Sequence, residues 1–201
     1  MKTLKDYILE KSWDKYQQGV YPDDSIKSAI YDYVSGMTSG VNYDLRKGNT
    51  RGSKKVIDKL DSAFKDANYA DGKILNVWRT VDWDYMKNIY GATPENIKDF
   101  IGKTFENKGY MSTTKKFGSP WGKSWLKDDL VMHITSKDPY PVLDINRIFK
   151  PSEIDCSDQE EYLLPRSTKL VLKKISYYRN KHKTIELEME IESWNLVKQN
   201  Y

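Results

Sequence analysis

Residues 185–192 alternate strictly between aliphatic and acidic side chains, in the order Ile-Glu-Leu-Glu-Met-Glu-Ile-Glu. Side chains along a β-strand point to opposite faces in turn, so one face carries four aliphatic residues and the other four glutamates. This pattern is typical of an antiparallel strand with one face against a core and one in water. Residues 168–178 precede it across a polar turn, 179–183, which predicts a hairpin whose outward lysines face those glutamates.

The first third of the chain has helical periodicity instead. A segment that opens at Pro22 carries apolar residues at intervals of three and four as far as Met37, which predicts a helix ending near Gly36 or Gly40. A second apolar face over residues 56–67 predicts another helix. Helices followed by strands indicate an α+β domain, and we expect N-terminal helices packed on a mixed, mainly antiparallel β-sandwich.

The composition limits what else the chain can be. It has one cysteine, Cys156, and two histidines, which excludes an intramolecular disulfide framework and a His- or Cys-rich metal centre. Uninterrupted apolar runs never exceed three residues, which predicts neither a membrane span nor a signal peptide. With no internal repeat or dividing linker, we expect one domain over residues 1–201, with a helical lobe over 1–70 and a β-rich core over 71–201.

Three short segments carry side chains better suited to chemistry than to architecture. Arg79 follows the apolar run 74–78, where a guanidinium can clamp an anionic group in a bidentate manner. Residues 109–114, Gly-Tyr-Met-Ser-Thr-Thr, form a β-type run that ends in three hydroxyls. Residues 159–166, Gln-Glu-Glu-Tyr-Leu-Leu-Pro-Arg, are interpreted as a polar loop that leads into a strand. Strand alternation places Gln159 and Glu161 on the same face. Each segment alone is also typical of an ordinary strand, so their combination matters more than any one of them.

Together these segments resemble the bacterial mono-ADP-ribosyltransferases, whose active site combines an arginine, a Ser-Thr-Ser type motif and a catalytic glutamate. The family includes Rho-modifying exoenzymes and the enzymatic component of actin-modifying binary toxins. Residues 41–46, Val-Asn-Tyr-Asp-Leu-Arg, are similar to the family's helical Asn-x-x-x-Arg element. Residues 75–79 resemble its arginine strand, 109–114 its hydroxyl strand and 161–166 its glutamate strand. The resemblance covers nearly the whole chain.

The resemblance implies an enzyme that cleaves the nicotinamide–ribose bond of NAD⁺ and transfers ADP-ribose to a macromolecular acceptor, without a metal. The ribose carbon then passes through an oxocarbenium-like state, as in glycoside cleavage. By the same resemblance, Glu161 is the catalytic carboxylate beside that carbon, and Ser112 orients it. Arg79 and Arg46 are implied to hold phosphates of NAD⁺, with Asn42 as a further hydrogen-bonding contact.

The resemblance also implies that one loop contacts NAD⁺. Relatives carry an aromatic residue near nicotinamide and a basic residue near the phosphates after the hydroxyl strand. We expect Trp121 and Lys123 in these roles, with Phe117 and Trp125 as the other aromatic candidates.

The residue two positions before the glutamate bears on the acceptor. Relatives that modify arginine carry Glu there, whereas those that modify asparagine, or more distantly guanine bases, carry Gln; here it is Gln159. A carboxamide can pair with another carboxamide or a base edge but cannot offset the charge of a guanidinium. The expected acceptor is therefore a protein side chain of the Asn/Gln type rather than arginine.

Two alternatives stay open at this point. A nucleobase in RNA or DNA is favoured as acceptor by Gln159 and by the basic run 165–183, and a non-catalytic binding module on the same scaffold is the second alternative. The absence of a visible signal peptide favours a cytoplasmic enzyme with no membrane partner. A mature secreted toxin that acts in a host cytosol is the alternative location.

Overall fold

The computed structural model describes residues 24–38, 40–66, 70–116, 130–154, 160–177 and 184–192. In chain order, its helices are α1 (Asp24–Val34), α2 (Gly40–Lys47), α3 (Lys54–Lys65), α4 (Trp83–Tyr90), a 3₁₀ turn (Ile97–Phe100) and α5 (Ile145–Ile148). Its strands are β1 (Ala70–Lys73), β2 (Asn76–Val81), β3 (Thr104–Asn107), β4 (Met111–Thr114), β5 (Leu130–Thr135), β6 (Tyr140–Asp144), β7 (Glu161–Leu164), β8 (Thr168–Tyr177) and β9 (Ile185–Ile191).

The described strands form one mixed sheet in the order β1-β6-β7-β4-β2-β5-β9-β8-β3. Strands β5 and β9 pair in parallel, and every other pair is antiparallel. The predicted hairpin is present as β8 and β9. On its solvent-exposed face, Lys173 bonds to Glu190 and Lys174 bonds to Glu188. The α+β class and the mainly antiparallel sheet are thus confirmed.

The sheet curls, so that its two halves pack across a shared core. The halves meet where β2 and β4 pair through Trp78 and Thr114. Apolar residues of β4, β6 and β7 on one side join residues of β2, β3, β5, β8 and β9 on the other in a single buried cluster, which includes Met111, Val142, Leu164, Val77, Phe105, Ile134, Leu172 and Leu187. Full burial of one such side chain stabilises the fold by about 1.5–3 kcal/mol.

The helices α1, α2 and α3 cover the other face of the β6-β7-β4 half. Their buried residues, such as Ile30 and Leu60, pack with Leu143 and Leu163 in a second cluster. Leu163 and its neighbour Leu164 therefore face opposite cores, as strand alternation requires. This arrangement packs the N-terminal helices against β6 and β7 and against Tyr110, which precedes β4.

The end of α1 near Gly36 is as expected, but the position of Met37 and the end of one strand differ from the sequence-based expectation. Helix α1 ends at Val34, because Gly36 adopts a left-handed φ of +77° that terminates the helix. Met37 therefore lies beyond the helix and is 69% exposed, whereas periodicity placed it on the apolar face. Strand β2 continues to Val81, so Arg79 lies inside the strand and not after its end.

None of the helices in these described ranges is long and apolar enough to cross a lipid bilayer.

Candidate active site

Glu161 begins β7 and is only 6% exposed. It pairs across the sheet with Thr114 of β4. Burial raises the pKa of the Glu161 carboxyl, and a hydrogen bond from Ser112 and the charge of Arg79 oppose that rise. A buried carboxylate with one hydroxyl donor and one nearby guanidinium thus lies at the start of the strand.

Arg79 reaches the same place from the neighbouring strand. Its Nη1 donates to the backbone oxygen of Ser112 over 2.7 Å. Because β2, β4 and β7 are adjacent in the sheet, Arg79, Ser112 and Glu161 lie on three successive strands. The structure therefore brings together the three segments that the sequence singled out, and their catalytic roles stay predictions.

The backbone at the entrance to β7 is held from two sides. The amide N–H of Glu161 donates to Asn146 Oδ1 over 3.1 Å, and the amide N–H of Lys115 donates to the Glu160 oxygen over 3.1 Å. Glu160 adopts a φ of +47°, in the left-handed region that costs energy for a residue other than glycine. These two bonds fix the peptide that orients Glu161.

Asn42 anchors the start of the hydroxyl strand. Its Oδ1 accepts from the Tyr110 amide over 2.8 Å, and its Nδ2 donates to the Tyr110 oxygen over 3.1 Å and to the Tyr33 hydroxyl over 2.7 Å. A Cβ on Gly109 would lie 2.5 Å from Asn42 Oδ1, so only glycine fits there. The amide of Asn42 thus bonds to protein groups, and its predicted contact with NAD⁺ stays a prediction.

Arg46 lies one turn after Asn42 on α2 and therefore on the same helix face. Its guanidinium carbon lies 5.5 Å from the centre of the Tyr85 ring, and so does that of Arg79. The Nε atoms of both arginines are buried and have no acceptor within the described part of the chain. Two converging guanidiniums with unmet donors form a site suited to an anion that carries several acceptor oxygens.

Two tyrosines join this site although the sequence did not identify them. Burial raises the pKa of the Tyr33 hydroxyl to about 12, and that hydroxyl lies within electrostatic reach of Arg79, Glu161 and Arg46. Tyr85 supplies the ring that both arginines contact. Both tyrosines occupy helical positions that pattern alone interprets as core, so the sequence contained no signal that separates them from packing residues.

Several predicted residues lie outside the described residues. These are Gln159, Trp121, Lys123, Phe117, Trp125 and Cys156. Among the residues that the structure describes, no three His, Cys, Asp or Glu side chains come together as a metal site. The expectation of a metal-free reaction stays a prediction.

The family of the chain follows from comparison with known proteins. The sequence model of the family described as "ADP-ribosyltransferase exoenzyme" matches residues 10–192. The chain belongs to this family, and it is an NAD⁺-dependent mono-ADP-ribosyltransferase of the bacterial toxin type. No curated protein matches it in sequence.

Solved structures show the same fold. C3stau2 from S. aureus, a structure that contains NAD, is 18% identical with a TM-score of 0.68, and the match covers 96% of this chain and 97% of that one. The Clostridium limosum C3 exoenzyme is 21% identical with a TM-score of 0.64, covering 91% and 90%. The enzymatic component C2-I of the C2-toxin from Clostridium botulinum is 16% identical with a TM-score of 0.69, covering 91% of this chain and 46% of that one.

Proposed function

We propose that this enzyme cleaves NAD⁺ with Glu161 as its catalytic carboxylate and transfers ADP-ribose to a protein side chain of the Asn/Gln type. The observation that carries the proposal is the convergence of Glu161, Ser112 and Arg79 on three adjacent strands. A catalytic carboxylate needs a fixed position and neighbours that favour its charged form, and Ser112 and Arg79 both act in that direction.

The chemistry follows from the burial of Glu161. As the bond between ribose C1′ and the nicotinamide nitrogen breaks, its electron pair goes to the nitrogen and C1′ becomes cationic. A carboxylate in a region of low dielectric stabilises that cation more strongly than one in water. Nicotinamide leaves as a neutral molecule, so the site needs no strong general acid.

Arg46 and Arg79 are proposed to hold the diphosphate of NAD⁺. Their buried Nε groups lack acceptors in the described ranges, and a diphosphate offers several charged oxygens in reach of two guanidiniums. Trp121 and Lys123, which follow β4 in the sequence, are proposed to complete the site at nicotinamide and at the phosphates respectively. Asn42 is proposed as a further hydrogen-bonding contact to NAD⁺. These three assignments rest on the sequence resemblance.

Gln159 is proposed to orient the acceptor. It lies two residues before Glu161, and its carboxamide can pair with an acceptor carboxamide but not offset a guanidinium charge. In the transfer step, the acceptor nitrogen bonds to C1′ and releases one proton. We also propose that residues 1–201 act as one domain and that the reaction takes place in a cytosol.

The nucleobase alternative loses part of its support. Within the basic run 165–183, Arg166 pairs with Asp61 across 2.7 Å, and Lys173 and Lys174 pair with glutamates of β9. Basic side chains that acids of the same molecule already neutralise contribute less to a phosphate-binding surface. The remaining argument for a nucleobase as the acceptor is Gln159 itself.

One experiment separates the acceptors. The protein is incubated with ³²P-labelled NAD⁺ and cell lysate, and the product is divided between protease and nuclease. The proposal predicts label that is lost with protease and survives RNase and DNase; the opposite pattern would replace the protein acceptor with a nucleic acid. Agmatine, a small guanidine, is expected to remain unlabelled, and labelled agmatine would contradict a non-arginine acceptor.

A variant tests the proposed role of Gln159 toward the acceptor. Gln159→Ala is expected to reduce transfer to the acceptor at least about tenfold while NAD⁺ hydrolysis falls less than about threefold, since one polar contact to the acceptor is lost. Ser157→Ala, two residues away in the sequence, is the matched control. Equal loss of transfer and hydrolysis would show that Gln159 does not act on the acceptor.

A further inference from the structure

The guanidinium groups of Arg46 and Arg79 share the ring of Tyr85. Each guanidinium carbon lies 5.5 Å from the ring centre, within the ~6 Å over which an aromatic face attracts a cation. Arg46 comes from α2 and Arg79 from β2, while Tyr85 belongs to α4. One ring therefore joins cations from two separate elements of the fold.

This contact matters because the two cations repel each other. Neither Arg46 nor Arg79 forms a salt bridge within the part of the chain that the structure describes, and the Nε atom of each is buried without an acceptor there. Like charges close together in a half-buried site raise the free energy of the fold. The negative face of the Tyr85 ring attracts both of them, and the Glu161 carboxylate also acts on Arg79.

Tyr85 is itself held at two points. Its amide N–H donates to Asp82 Oδ1, which caps the start of α4, and its hydroxyl donates to Asn107 Oδ1 over 3.3 Å. Asn107 is fully buried and donates from Nδ2 to the Gly109 oxygen over 2.6 Å. The ring is thus connected both to the start of α4 and, through Asn107, to Gly109, which precedes the hydroxyl strand.

We propose that Tyr85 is a positioning residue for the diphosphate of NAD⁺. Its ring holds the guanidiniums of Arg46 and Arg79 at the same distance, so that both can donate to one diphosphate. Ordering two long side chains before the ligand arrives lowers the entropy cost of binding. The inference rests on the proposed function, because it takes these arginines as phosphate ligands, and Tyr85 acts only through them.

The test uses ADP-ribose, which carries the diphosphate but no bond for the enzyme to cleave. Tyr85→Leu removes the ring, and we expect its dissociation constant for ADP-ribose, measured by calorimetry, to rise roughly tenfold. The KM for NAD⁺ rises by a similar factor, while kcat stays within about twofold because the reacting carbon is not affected. Tyr85→Phe keeps the ring and the backbone bond to Asp82 and loses only the 3.3 Å bond to Asn107, so it is expected to stay within about twofold of the unmodified enzyme in both measurements.

Tyr43→Leu is the matched control. Tyr43 is an exposed tyrosine on α2 whose ring contacts the Lys47 ammonium at 5.8 Å, so the variant removes an aromatic ring and a cation contact outside the site. Its ADP-ribose affinity is expected to be unchanged. Thermal unfolding verifies that each variant is folded, and Tyr85→Met replaces Tyr85→Leu in every comparison if the leucine variant does not fold.

A double-mutant cycle shows whether Tyr85 acts through an arginine. In an Arg46→Ala background, we expect Tyr85→Leu to weaken ADP-ribose binding by clearly less than tenfold, because one of the two cations that the ring holds is missing. Additive losses, or unchanged affinity in Tyr85→Leu while Arg46→Ala and Arg79→Ala bind weakly, would overturn the inference and leave the proposed function intact. Unchanged affinity in both arginine variants would overturn the proposed phosphate site as well.

Discussion

Ser112 lies diagonally across the sheet from Glu161: Thr114 pairs directly with Glu161, and Ser112 is two residues further along the same strand. A diagonal neighbour is within reach of a long side chain, and the Ser112 hydroxyl hydrogen-bonds the Glu161 carboxyl. The hydroxyl therefore both orients the carboxylate and stabilises its charged form.

Removing that hydroxyl is expected to slow the reaction. Ser112→Ala should lower kcat for nicotinamide release by about tenfold, the cost of one hydrogen bond to a charged group. It should also move the acid limb of the pH profile of kcat/KM to higher pH, since the lost bond opposed the raised pKa of Glu161. Ser176→Ala is the matched control, because Ser176 donates to Glu188 on the far strand pair. An unmoved acid limb would mean that Ser112 does not act on Glu161.

The burial of Glu161 predicts a cost in stability at neutral pH. Burial raises the pKa of the folded state above that of the unfolded chain, so the ionised carboxylate destabilises the fold. Glu161→Gln is therefore expected to have a higher free energy of unfolding than the unmodified protein at pH 7. This advantage should shrink as the pH falls through the raised pKa and vanish below the ordinary range of a glutamate. Urea unfolding at several pH values measures it, and a difference that does not change with pH would contradict the account.

Asn146 is expected to act on catalysis through the backbone. Its Oδ1 accepts from the Glu161 amide, next to the left-handed Glu160. Asn146→Ala should lower kcat by about fivefold to tenfold, because one bond that fixes the catalytic strand entrance is lost. Asn96→Ala is the control: Asn96 accepts from the Thr93 amide in the same way, and it lies outside the strands that carry Glu161, Ser112 and Arg79. Equal kcat in the two variants would contradict this role for Asn146.

The contacts of Asp61 predict that its replacement lowers the stability of the fold without affecting catalysis. Its carboxylate accepts from two nitrogens of Arg166 and from the Tyr110 hydroxyl over 2.7 Å, and so connects α3 to the strands. Asp61→Asn is expected to lose about 2–3 kcal/mol of unfolding free energy, because it leaves Arg166 without its counter-charge. Asp58→Asn on the same helix breaks only an exposed pair with Lys54 and should cost about 0.5 kcal/mol or less. Similar losses of unfolding free energy in Asp61→Asn and Asp58→Asn would contradict this prediction.

The sequence predicted the elements whose signal is local. The alternation over residues 185–192 is a property of neighbouring residues, and it appears as β9 with its glutamates on the wet face. The arginine, hydroxyl and glutamate segments, singled out by their resemblance to a known family, lie on the adjacent strands β2, β4 and β7, and their catalytic roles stay predictions. The prediction of β9 depends on a short-range pattern that packing does not override.

The remaining features depend on contacts between distant residues. The parallel pairing of β5 with β9 joins segments about fifty residues apart, and no local pattern specifies it. Tyr33 and Tyr85 lie on helices where an aromatic residue is typical of a core, and only the three-dimensional approach of the arginines makes them part of the site. Arg79 was expected after its strand because the apolar run stops at Trp78, whereas backbone pairing continues to Val81.

The central claim is tested most directly by a crystal structure of Glu161→Gln with intact NAD⁺. This variant should release nicotinamide on the order of 10²–10³-fold more slowly, while Glu160→Gln retains activity. We expect the ribose C1′ beside the side chain of residue 161 and the diphosphate on Arg46 and Arg79. A dinucleotide bound elsewhere, or a residue 161 side chain that points away from the ribose, would contradict the account.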